Sequence, residues 1–265
     1  MRIVLLLLLA FYLAICLVMY FAQTRLLFPA WLVGVAGAPP PGTERLSIEA
    51  PDGTRLEGLH LPPANGPGNG TMILSFAGNA TYAQHLAERL RIAYPEHPIA
   101  AFHYRGYAPS AGAADAGAMG EDAALVYDAV VGRYRPKRVV GVGVSLGSGV
   151  AAQLAAKRPL SGLVLVTPFD SLKNVARQIY WWLPVSLLMR HDLDSAEALR
   201  GSRVPVAIVA AERDGLVRPE RTAALRESVR DLRLAVTLPG ATHNDVFLHR
   251  GFDPALRESL RRVLK

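Results

Sequence analysis

The pattern of apolar and polar positions divides the chain in two. From Ile3 to Ala22 it is apolar without a single charge. A helix of that length spans about 30 Å, the hydrocarbon thickness of a bilayer. From about Arg45 onward, short apolar runs alternate with amphipathic stretches. "RLSIEAPDGTRLEGLHLP" reads as a hairpin: Leu46 and Ile48 alternate in one arm, Leu56, Leu59 and Leu61 mark the other, and Asp52-Gly53 is a turn signal. Further strands are predicted at Thr71–Phe76, Pro98–Tyr104, Arg138–Val144, Gly162–Pro168, Val204–Ala211 and Arg233–Pro239. Helical spacing falls between them, with Leu86, Leu90 and Ala93 on one helix and Leu125, Val126, Ala129 and Val130 on one face of Glu121–Tyr134. Helices are also predicted at Ser148–Arg158, Pro219–Arg230 and Asp253–Lys265. Strands apolar throughout, separated by helices, predict an α/β fold with a mostly parallel eight-stranded sheet covered on both faces. Asp170–Arg200 breaks the alternation and is expected to be a small cap.

The N-terminal run is too long for the 7–15-residue core of a signal peptide, and Tyr20-Phe21-Ala22 is a poor cleavage site. Leu13–Cys16 half resembles a lipoprotein box, but Ile15 is bulky before the cysteine. The expectation is an uncleaved anchor over 1–24, then a juxtamembrane segment and Pro-rich linker over 25–44 ("AGAPPPG"), then a globular domain over 45–265 with its cap at about 170–200. Arg2 and the amino terminus precede the span and only Arg25 closely follows it. By that flank the body is expected on the non-cytoplasmic side. A processed, secreted protein is the alternative.

Charge and cysteine content change this picture little. The formal net charge is +7. The densest basic cluster, Arg257, Arg261, Arg262 and Lys265, has the spacing of a solvated helix face. Without aromatic interleaving or a reader motif, no nucleic-acid partner is expected. A basic surface suits anionic lipid. Cys16 is the only cysteine, so no intramolecular disulfide can form. No cluster has metal-ligand spacing, so neither a metal nor another cofactor is expected.

Candidate chemistry sits at the predicted strand ends, where such sheets form sites. "GVSLG" (Gly143–Gly147) fits G-x-S-x-G, with Ser145 on a tight turn between a strand and a helix and glycines two residues to either side. A dinucleotide loop would need a glycine where Leu146 stands. Asp214 follows the Val204–Ala211 strand in "AAERDGLV", and His243 follows the next in "PGATHNDV". Singly, each is an ordinary loop residue. Together, Ser145, Asp214 and His243 follow the chain order of an α/β-hydrolase triad. His243 would take the serine proton and Asp214 would hold its tautomer. The N–H of Leu146 and that of Asn79, in "FAGNA" after the Thr71–Phe76 strand, would be the oxyanion donors. Arg105 is read as a structural ion-pairing residue, and Asn244 and Asp245 as braces of the histidine loop. Tyr180, Trp181 and Trp182 in the cap are candidates for substrate binding, or only pack the cap to the body.

These residues carry a resemblance that covers nearly the whole chain. The N-terminal span followed by "QTRLLFP", then "FAGNA", "HYRGYAPSAG", "GVSLG", "FDSLKNVARQIYWWLPVSLLMR" and "ATHND", resembles the membrane-anchored α/β-hydrolases related to the bud-emergence protein. The resemblance implies the α/β-hydrolase fold, the Ser145, Asp214 and His243 triad, and Asn79 in the oxyanion loop. It also implies hydrolysis of a carboxylic ester or thioester, in acyl lipids, acylated proteins or small esters. The chain departs from the family in having Ala210-Ala211 before the acid loop, where His-Gly is common, and His103 where Asp is common. A serine peptidase on the same fold, or a membrane-tethered interaction module without catalysis, remains the alternative.

Overall fold

A computed structural model describes residues 1–34, 37–66 and 68–265. Val35 and Ala36, inside the expected Pro-rich linker, lie outside the described residues. Helix α1 runs from Arg2 to Leu27 and is followed by a 3-10 turn at Ala30–Leu32. Eight strands follow: β1 (Glu44–Glu49), β2 (Arg55–Leu61), β3 (Thr71–Phe76), β4 (Ile99–Phe102), β5 (Arg138–Val144), β6 (Gly162–Val166), β7 (Val206–Ala211) and β8 (Leu232–Leu238). They form one sheet in the order β1-β2-β4-β3-β5-β6-β7-β8. β1 and β2 are antiparallel, β2 meets β4 antiparallel, and the remaining pairs are parallel.

Strand period sorts the core into two layers. On β3, Met72, Leu74 and Phe76 face one layer and Ile73 the other; on β6, Leu163 and Leu165 oppose Val164 and Val166. The first layer is closed by α3 (Ala116–Tyr134) and α4 (Leu146–Lys157), through Met119, Val126, Val150 and Leu154, and by α8 (Pro219–Ser228) through Leu225. The second is closed by α2 (Ala83–Ala93) through Leu86 and Leu90, and by the C-terminal helix Phe252–Val263 through Phe252, Leu256 and Leu260. Between β6 and β7 lie three short helices, α5 (Leu172–Ile179), α6 (Val185–Leu188) and α7 (Ser195–Arg200).

Two expectations need correction. α3 starts a turn earlier than Glu121, where Asp115 caps it by accepting from the N–H of Ala118 at 2.8 Å. Its buried face is Met119, Ala123, Val126, Tyr127 and Val130, while Leu125 and Ala129 are half-buried. The Gly-rich start hides the helix from propensity, and packing against α4 overrides it. β8 is not covered on both faces. It is the sheet edge, and its residues alternate between half-buried and exposed up to Leu238.

Candidate active site

The sheet register sets the site. Phe76 of β3 pairs with Gly143 of β5, Val144 with Val166 of β6, and Ala211 of β7 with Leu238 of β8. The loops after these strands therefore leave from one rim.

Ser145 stands between β5 and α4 with φ +50° and ψ −117°, a strained conformation for a side-chain-bearing residue. Its N–H donates to the carbonyl of Val166 at 2.9 Å, and its carbonyl accepts from the N–H and Oγ of Ser148 at 2.8 and 2.6 Å. The flanking glycines are required sterically. A Cβ on Gly143 would fall on the backbone of Gly147, and one on Gly147 would fall on the carbonyl oxygen of Phe76. This is the physical content of G-x-S-x-G: strand, turn and neighbouring loop meet backbone to backbone.

Asp214 is buried on the loop after β7. Its Oδ1 accepts from the N–H groups of Leu216 and Val217 at 3.1 and 2.7 Å, leaving Oδ2 for a side chain. The acid and histidine loops are tied together: Arg213 N–H donates to the carbonyl of Ala241 at 2.8 Å, and Glu212 accepts from Gly240 N–H at 2.7 Å. Asp245 accepts from Thr242 N–H at 2.6 Å, the bracing role expected of it. The result is a continuous chain. His243 Nδ1 lies 2.7 Å from Asp214 Oδ2, and its Nε2 lies 2.9 Å from Ser145 Oγ. With Asp214 accepting at Nδ1–H, Nε2 is the nitrogen free to accept from the serine hydroxyl.

The loop Phe76–Ala80 lies against this elbow. A Cβ on Gly78 would be 3.8 Å from the Ser145 Cβ. Among the described residues, the N–H groups of Asn79 and Leu146 have no acceptor. The Leu146 N–H is the first of its helix and has no partner there by geometry.

What holds this loop was not foreseen. Tyr104 donates to the carbonyl of Ala77 at 2.7 Å, and Tyr107 donates to Asn79 Oδ1 at 2.6 Å. Burial pushes both phenols above their ordinary range. Arg105 does have the structural role expected: it grips Asp122 through Nε and Nη2 at 2.7 and 2.6 Å and Asp52 at 2.8 Å, and its guanidinium draws Asp52 down to about 2. His103, at the family's Asp position, is buried against Tyr82 and pushed down to about 4 by desolvation. Asn79 also donates from Nδ2 to the carbonyl of Leu27 at 2.6 Å, so the last turn of α1 is bonded to this loop.

Of the cap aromatics, Tyr180 lines an apolar groove between α1 and the cap. Trp181 and Trp182 are not among its lining residues. They follow the end of α5 and are 81% and 44% exposed.

Fold and rim together define an α/β-hydrolase. No protein-family model matches the chain. Over 250 residues it is 32% identical to the uncharacterized protein Rv2307c of Mycobacterium tuberculosis, covering 91% of this chain and 87% of that one. It is 26% identical over 261 residues to the uncharacterized membrane protein YNL320W of Saccharomyces cerevisiae, covering 91% and 90%. The esterase PF2001 of Pyrococcus furiosus superposes with a TM-score of 0.69 over 87% of this chain and 96% of its own, at 17% identity. The chain belongs to the α/β-hydrolase family, in the membrane-anchored branch that its sequence resembles, and α1 fits the anchor.

Proposed function

We propose that the protein is a single-pass membrane-anchored serine hydrolase that cleaves carboxylic ester or thioester bonds through an acyl-enzyme. The observation that carries the reading is the chain of two hydrogen bonds from Asp214 through His243 to Ser145. His243 Nε2 takes the proton as Ser145 Oγ attacks the carbonyl carbon. The N–H groups of Leu146 and Asn79 receive the developing oxyanion. The imidazolium, held by Asp214, then protonates the departing alcohol or thiol. Water, deprotonated by the same Nε2, attacks the acyl-enzyme and releases the acid.

An uncleaved anchor is supported by the bond from Tyr12 to the carbonyl of Trp182 and by the packing of Cys16 against the cap, which cleavage after Ala22 would remove. The charge flanks of α1 favour the body on the non-cytoplasmic side. Only 6% of the most apolar stretch of α1 is buried, unlike the core helix of a soluble protein. The test is labelling of the detergent-solubilised protein by a fluorophosphonate, beside Ser145→Ala and His243→Ala. Labelling of the unmodified chain that disappears in both variants is expected. A folded chain that does not label would overturn the reading.

A further inference from the structure

Helix α1 does not simply leave the body at Leu27. It runs back along the cap. Gln23, buried, donates from Nε2 to the carbonyl of Leu188 at 3.0 Å and accepts at Oε1 from the N–H of Arg190 at 2.7 Å. Cys16 packs among Ala176, Leu183, Val185 and Met189. Farther up, the hydroxyl of Tyr12 donates to the carbonyl of Trp182 at 3.0 Å. Tyr12 stands at the middle of the charge-free run Ile3–Ala22, about 15 Å along the axis from Ala22. The turn at Trp182 therefore sits beside the midpoint of the span.

The cap is built for that position. Ile179–Met189 carries no charge, and arginines stand just outside it at Arg177 and Arg190. A short apolar run with cationic flanks has the length of a re-entrant or interfacial segment. Trp181 is 81% and Leu187 84% exposed. In water that exposure is unfavourable, whereas in lipid it is not. A backbone among lipid chains must satisfy its polar groups internally. The N–H groups of Leu183, Val185, Leu187, Leu188 and Met189 donate within the segment, Pro184 has none, those of Trp181, Trp182 and Ser186 donate to no carbonyl among the described residues, and α1 supplies partners for the carbonyls of Trp182 and Leu188. Between the two elements lies the apolar groove, lined by Met19, Leu26 and Leu27 of α1 and by Ala176, Tyr180 and Leu188 of the cap. Leu27, at one end, accepts from Asn79 beside the Ser145 elbow.

We propose that Ile179–Met189 is inserted in one leaflet alongside the outer half of α1, and that the groove between them takes an acyl chain directly from that leaflet. This rests on reading α1 as a membrane span. The groove's role in turnover rests also on the hydrolase reading.

The protein has three tryptophans, Trp31, Trp181 and Trp182. The full chain carrying Trp31→Phe is reconstituted in phosphatidylcholine vesicles whose acyl chains are brominated near the headgroup or at mid-chain. The cap pair is expected to lose about half of its emission or more to mid-chain bromines, which lie closer to the depth of Tyr12 than those near the headgroup. A reference chain carries Phe11→Trp with all three tryptophans replaced by Phe. Quenching of the reference without quenching of the cap pair overturns insertion and leaves the span. Quenching of neither overturns both. Fluorophosphonate labelling of the same vesicles reads the hydrolase proposal independently. Ala176→Phe, which fills the groove, is expected to lower the ratio of long-chain to short-chain ester turnover about tenfold. An unchanged ratio in an enzyme that turns over both esters overturns the acyl groove.

Discussion

The elbow at Ser145 and the seam between α1 and the cap solve opposite problems. At the elbow, five consecutive residues are fixed by backbone contact, and glycine is needed because the Gly143 and Gly147 positions have no room for a Cβ. At the seam, residues about 170 positions apart meet through single hydrogen bonds between a side chain and a carbonyl. The first is a local constraint with a motif. The second has no motif, because any polar side chain on the right face of α1 would serve. The difference teaches where a change should stop the chemistry and where it should only loosen the attachment of the cap.

Asp214→Asn should have the largest effect. The amide can keep both backbone bonds at its oxygen and turn its NH2 toward His243 Nδ1. That nitrogen must then accept, so the proton moves to Nε2, which can no longer receive the serine proton. The labelling rate should fall about ten-thousand-fold while the thermal midpoint hardly moves. A rate within tenfold of the unmodified chain would mean that Asp214 does not set the tautomer.

Gly147→Ala tests the elbow itself. The new methyl would fall on the carbonyls of Phe76 and Ala77, so the Phe76–Ala80 loop and α4 must separate. About 3 kcal/mol of stability should be lost, together with labelling. Gly215 has no neighbour within 4 Å of such a methyl, and Gly215→Ala is the control that should cost little. Equal thermal midpoints for the two variants would remove the steric account of the motif.

His103 gives a pH-dependent contrast away from both regions. Its folded-state value is pushed down to about 4 by burial, so the folded chain favours the neutral ring. The unfolded chain binds the extra proton below about 6.5. Stability is thus fully present above that value and is lost as pH falls toward 4, by about 2 kcal/mol between pH 7 and pH 5. His103→Phe keeps an aromatic ring against Tyr82 and should flatten this part of the slope in thermal melts. An identical slope would assign the acid sensitivity to other groups.

The same contrast explains what could be read in advance. The six parallel strands were legible as short, mostly apolar runs and the hairpin strands β1 and β2 by alternation about Asp52-Gly53, while the cover of β8 was misjudged although Arg233 and Thr237 already break its run. The order Ser145, Asp214, His243 was legible because each residue follows a strand end. The roles of Tyr104 and Tyr107 were not, since nothing in "YRGY" indicates that its phenols reach a loop some 27 residues earlier. The start of α3 was hidden by glycines that permit α4 to approach. The seam was hidden altogether: Tyr12 and Gln23 look like incidental polar residues in or beside an apolar run until their partners are in place.

The smallest effect is also the one that discriminates most finely. Tyr12→Phe removes one hydroxyl and leaves the ring, so packing along α1 is retained. The carbonyl of Trp182 then loses its donor. In a detergent micelle open to water, solvent can replace the bond and the cost should be close to zero. In a bilayer, at the depth of Tyr12, no solvent is at hand, and the loss should approach about 1 kcal/mol, the scale measured for single polar contacts between membrane helices. Thermal midpoints of the unmodified and Tyr12→Phe chains, compared in detergent and in vesicles, measure the difference. A larger cost in the bilayer means that the seam is sealed by lipid. Equal costs in both mean that water reaches Trp182, and that the cap rests on the membrane instead of within it.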